Sequence, residues 1–176
     1  MRDPLPAPIT LVQASQPLAR TLSLRTLPLH VHEILPAFGI YTFLYSCVSP
    51  PISRRLFPET YASLSRKTKI NWDVHVVSLF QSCFINAAAL AVIYLDKERW
   101  DMGPGERVWG YTGATGMVQG LSAGYFLWDL VMSAKDMGLH GPGALVHAAS
   151  SLAVSLLGFV SLLVTGAWGM GADSFL

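Results

Sequence analysis

An all-α, multi-pass transmembrane helical bundle with four spans is the fold class this sequence predicts. The first observation is composition: 52% of the 176 residues are apolar, only 13% are charged, and mean hydropathy is +0.42. That charged fraction is about half of what soluble domains carry. The second is distribution, because residues 34–53, 74–95, 108–128 and 137–172 contain no Asp, Glu, Lys or Arg. Each stretch supplies the roughly 20 residues a helix needs to cross a hydrocarbon core of about 30 Å. The third is punctuation: Pro50-Pro51, Gly103-Pro104-Gly105 and Gly141-Pro142-Gly143 stand between the stretches as turn signals. A helix satisfies its own backbone in lipid, so a membrane bundle accounts for all three. The 12 Lys+Arg against 11 Asp+Glu leave no basic surplus for nucleic acid. Cys47 and Cys83 fall inside apolar runs and form neither a disulfide framework nor a zinc cluster.

Residues 1–27 carry prolines at 4, 6, 8 and 17, which argue against a continuous helix and predict a flexible tail. The membrane domain then occupies 28–170, with spans about 29–48, 72–94, 109–131 and 144–168, and 171–176 form a short tail. Pro50-Pro51 is expected to end the first span, since the residue before a proline is pushed out of the helical region. Arg54, Arg55, Arg66, Lys67 and Lys69 make the next segment a basic loop at the membrane surface. Basic residues divide almost evenly between the two sides, so orientation is poorly specified, with the density of that loop favouring the cytosol. Trp72, Trp100, Trp109 and Trp168 sit at or near span ends, where amphipathic indoles favour the interface.

Polar residues inside the spans carry the functional signal. Asn71, His75, Ser78, Ser82 and Asn86 recur at helical spacing on the second span. Gln119, Ser122, Phe126, Asp129 and Ser133 do so on the third, and His147, Ser151, Ser155 and Gly158 on the fourth. Three such stripes predict a shared polar cavity lined by His75, Ser78, Gln119, Asp129, His147 and Ser151. Intramembrane ionisable residues are costly and mark function by default. Interhelical hydrogen-bonding glue is the competing explanation for the same residues. Asp129 and His147 flank a short loop at similar depth, and are expected to approach within about 6 Å, where charges shift each other's pKa. No metal is expected, because no HxxH or ExxH spacing links these residues, and no cofactor motif is present. Gly116, Gly120 and Gly124 form GxxxGxxxG, a ridge for close helix packing, inside the chain or between copies.

The segments NWDVHVVSLFQS at 71–82, GYFLWDL at 124–130 and LVHAASSLAVSLLGF at 145–159 resemble, in order and spacing, the TLC-domain family. The likeness is to fungal members of the branch without the ceramide synthase signature, and runs from about 35 to 159. It implies a barrel of six or more helices around a central cavity, residing in the endoplasmic reticulum. By position, Asp129 matches the acidic residue of the family's GYxxxD segment, and His147 the first histidine of the synthase pair. His75 falls where many members have Arg, and Gln81 where many have His. The second histidine of the pair is Ala148 here, and the downstream acids of the synthase motif have no counterpart. Four spans are also fewer than the resemblance implies, so a truncated gene product, or a minimal member completed by self-association, is expected.

The resemblance therefore implies a non-catalytic membrane protein that influences lipid composition or lipid homeostasis, with membrane lipids as partners. One alternative is a lipid acyltransferase of ceramide synthase type, with an intramembrane histidine as general base and His147 and Asp129 as candidate catalytic residues. A second is a translocon or cargo accessory protein, for which loops of about 20 residues give little recognition surface.

Overall fold

The computed structural model describes residues 3–160, with the side chains at 108 and 109 left out. Among them every regular element is helical. In order these are α1 (Ile9–Thr21), a 3₁₀ turn (Leu27–Leu29), α2 (Val31–Phe43), a π-helical turn (Leu44–Val48), α3 (Ser49–Leu56), α4 (Pro58–Ser63), α5 (Arg66–Leu95), α6 (Lys97–Trp100), α7 (Pro104–Trp109), α8 (Gly113–Lys135) and α9 (Met137–Leu157).

Four long segments alternate in direction. Gly116, Gly120 and Gly124 of α8 meet His30, Glu33 and Ala37 in the same order, so α2 and α8 run parallel. Tyr41 bonds Gln81 and Ser49 bonds Asp73, which sets α5 antiparallel to the first segment. Gln119 reaches Ser155, setting α9 antiparallel to α8. α8 is thus the central helix, packed against α2, α5 and α9. Its start is fixed by a capping box between Thr112 and Thr115, and Thr112 also donates to Asp96 at the end of α5 at 2.6 Å.

Two helices are long and apolar enough to cross a membrane: the continuous 31–56 segment and α5. At 1.5 Å per residue the 30 residues of α5 extend about 45 Å, so its basic first turns project beyond the hydrocarbon. Their exposed faces carry Leu35, Ile40 and Phe43, and Leu79, Phe80, Phe84, Leu90 and Ile93. Large apolar side chains in such continuous bands belong against lipid. The expectation of four spans is met by only two among the described residues. Gly, Ser, Gln and Asp dilute the apolar content of α8, and the apolar run expected to complete the fourth span lies partly outside the described residues.

Three local expectations also change. Pro50-Pro51 does not end the first span. Both prolines fall in the first turn of α3, where a missing N–H costs nothing, and the π-helical turn absorbs the register change. The described part of the expected flexible tail, residues 3–27, is not irregular, since it contains α1. The prolines at 4, 6 and 8 precede α1, and Pro17 is carried inside it because Ala19, Leu24 and Leu27 pack with Ile34, Ala123 and Phe159. Tertiary burial here outweighs propensity. Finally, α9 begins at Met137, and Gly141 (φ 76°) breaks its first turn away from the rest, a backbone conformation glycine adopts without strain.

Candidate functional site

Two polar centres lie along the central helix. The first is an open groove of about 420 Å³ between α8 and α9, lined by Gln119, Ser122, Phe126, Ser150, Ser151, Val154 and Ser155. Gln119 crosses it to donate to the Ser155 carbonyl, with space provided by Gly158, where a Cβ would lie 2.6 Å from the Gln119 amide nitrogen. Ser122 and Ser150 turn their hydroxyls onto carbonyls of their own helices, at 2.9 and 2.8 Å. The groove is therefore amphipathic: apolar at Phe126 and Val154, hydroxyl-rich elsewhere.

The second centre sits where α2 and α8 begin. His30 is fully buried between Glu33, whose Oε2 lies 2.7 Å from Nδ1, and Tyr111, whose hydroxyl lies 2.5 Å from Nε2. Phe159 stacks on the same imidazole at 5.6 Å. Carboxylate, imidazole and phenol form a continuous relay able to hold or pass a proton. The glycine ridge makes room for it. A Cβ at Gly116 would overlap the His30 ring, and one at Gly120 would stand 2.6 Å from Glu33 Oε2. His30, Glu33 and Tyr111 are not among the residues singled out from sequence, because what joins them is contact between the starts of α2 and α8, some 80 residues apart. The readable signal was His30-x-His32-Glu33, which places His30 and Glu33 on one helix face.

The residues singled out from sequence are distributed as follows. Gln119 and Ser151 line the groove. Ser78 accepts from the Tyr125 hydroxyl at 2.9 Å, joining α5 to α8. Asp129 is half-buried, with His147 and His140 in electrostatic range of its carboxyl, but no ion pair joins it to His147 among the described residues. His147 itself is exposed, and so is His75. The face α5 buries is Asp73, Val77 and Gln81 instead. Gln81 accepts from Tyr41, while Asp73 accepts from Ser49 at 2.6 Å and Tyr61 at 2.8 Å. Trp72 ties the same end down through Ser53 at 3.0 Å. Gly116, Gly120 and Gly124 form the contact between α8 and α2.

Two long helices with exposed apolar faces, and polar groups gathered between the helices, fit a helical membrane protein. The sequence pattern of the TLC domain matches residues 71–170. The chain belongs to the TLC domain family. It is 35% identical over 147 residues to a TLC domain-containing protein of Schizosaccharomyces pombe, covering 84% of this chain and 48% of that one. It is 33% identical over 130 residues to the Topoisomerase I damage affected protein 4 of Saccharomyces cerevisiae, covering 73% and 44%. A TLC domain-containing protein 4 C of Dictyostelium discoideum is 28% identical over 123 residues, covering 68% and 43%. The chain spans about half the length of these relatives. No solved structure matches it.

Proposed function

We propose that this TLC-type membrane protein is non-catalytic, resides in the endoplasmic reticulum and influences membrane lipid composition. The observation that carries the reading is the groove between α8 and α9. Hydroxyls and an amide beside Phe126 and Val154 suit a ligand with a polar head and an apolar tail. The groove is open on one side, so it serves as one wall of a lipid cavity, and we take a second copy of the chain to supply the other. The acyltransferase alternative is disfavoured by His147, which is exposed and, among the described residues, forms no ion pair with a carboxylate that would orient a general base.

A photoactivatable phospholipid added to cells making the full chain tests this directly. Adducts mapped by mass spectrometry should concentrate on α8 and α9, and Ser151→Leu should reduce them severalfold at unchanged protein level. Equal labelling of the outward face of α5 and of the groove would overturn the lipid site. In the same cells, Asp129→Asn and His147→Gln should change lipid composition at unchanged protein level. Lower expression with unaltered lipids would make those two residues structural.

A further inference from the structure

We propose that Asp3, His30 and Glu33 bind a divalent transition-metal ion of the zinc class. One ligand atom from each lies within 4.8 Å of the others. His30 Nδ1 stands 2.7 Å from Glu33 Oε2 and 3.6 Å from Asp3 Oδ2. Around a tetrahedral ion with bonds of 2.0–2.2 Å, donor atoms sit roughly 3.4 Å apart. The His30–Asp3 spacing already fits, and the His30–Glu33 pair must open by roughly 0.7 Å to admit the ion.

Four features distinguish this cluster from an incidental group of carboxylates. The first is burial combined with charge. Glu33 and His30 are 2% and 0% exposed, and the groups acting on the Glu33 carboxylate are His30, Asp3 and His32, none of them a permanent cation. A divalent ion would supply the cationic charge that the described neighbours of this buried carboxyl pair do not carry permanently. The second is an orphan: among the described residues Glu33 Oε1, fully buried, has no hydrogen-bond partner. The third is the back of the imidazole. The Tyr111 hydroxyl on Nε2 can accept that N–H, which turns the Nδ1 lone pair toward the carboxylates, the outer-shell arrangement metal-binding histidines use. The fourth is how Asp3 is delivered. The Leu5 amide donates to Asp3 Oδ1 at 2.8 Å, leaving Oδ2 for the site, and His32 Nε2 donates to the Leu5 carbonyl at 2.6 Å. His32 thus fastens the segment bearing Asp3 onto α2. An imidazole with two carboxylates suits zinc, manganese or ferrous iron, and excludes soft ions that need thiolates.

The full chain, tagged at its C-terminus, is purified in mild detergent, stripped with chelator, and reloaded with Zn²⁺ or Co²⁺. Elemental analysis should find about one ion per chain, and Co²⁺ should give the visible absorption of a low-symmetry N/O site. Asp3→Asn removes a partly buried ligand outside the membrane helices. It should weaken Zn²⁺ binding by roughly tenfold or more with helix content unchanged, and Tyr111→Phe should weaken it by about 10–100-fold as an outer-shell loss. Failure of the wild-type chain to retain Zn²⁺ and Co²⁺ after reloading would overturn the site. So would equal affinity in Asp3→Asn and wild type. None of these readouts depends on the lipid groove, so the two proposals stand or fall separately.

Discussion

Single atoms on the glycine ridge decide whether α2 and α8 can meet. A Cβ at Gly124 would lie 2.6 Å from both the Ala37 methyl and the Ile34 carbonyl oxygen, and backbone cannot move aside as a flexible side chain would. Gly124→Ala should therefore cost about 1–3 kcal/mol through overpacking. Thermal unfolding of the detergent-solubilised chain checks this, with Gly39→Ala as the control, since a Cβ there meets nothing within 4 Å. Tyr61 offers a second test. Burial, and then its hydrogen bond to Asp73, push the phenol up to about 12. The folded value lies above the unfolded one of about 10, so the neutral phenol's contribution is fully present below pH 10. It is lost as pH rises from 10 toward 12. Alkaline unfolding monitored by circular dichroism should show this loss, and Tyr61→Phe should flatten it; an unchanged profile would remove Tyr61 from the account.

Helices declare themselves in this sequence more clearly than the faces they bury. The uncharged runs located α2, α5, α8 and α9 because length and apolarity report the helix directly. The polar stripe on α5 did not identify its inner face. Ser82 and Asn86 bond carbonyls of their own helix four residues back, so lipid-side exposure costs them little, and of the stripe Ser78 turns inward to Tyr125 of α8. The buried line is Asp73, Val77 and Gln81, set by partners on α2, α3 and α4 that are distant in sequence. His30 and Glu33 were hidden for a similar reason: their value depends on Tyr111 and the glycines of α8, about 80 residues away. Pro50-Pro51 reads as a stop by local rules, and only the preceding π-helical turn lets the segment continue to Leu56. The alternation of α2, α5 and α8 nonetheless fixes a topological consequence. Glycosylation acceptor sites inserted in 58–65 and in 97–107 should be modified in one case and not the other. Modification of both would mean that α5 does not cross.

At the scale of the whole molecule, the described residues leave the amphipathic groove between α8 and α9 uncovered. The ridge that could have joined two copies is already spent on α2, and the outward faces of α2 and α5 are apolar. The α8–α9 groove presents Gln119, Ser150 and Ser151 beside Phe126 and Val154, a combination lipid tails solvate poorly. Interhelical hydrogen bonds in lipid are each worth only about 0.6–2 kcal/mol, so a few such groups favour association without enforcing a permanent complex. The 19.1 kDa chain should therefore form oligomers in mild detergent, dissociating as detergent is raised. Light scattering measures the mass. Thiol cross-linking locates the contact, because the native Cys47 and Cys83 are exposed and can be replaced by Ser. In that background Ser150→Cys should cross-link efficiently and Leu79→Cys, on the lipid-facing side of α5, should not. A monodisperse single chain at low detergent, or stronger cross-linking at Leu79, would move the interface away from the groove and leave its second wall to be supplied by something other than a copy of this chain.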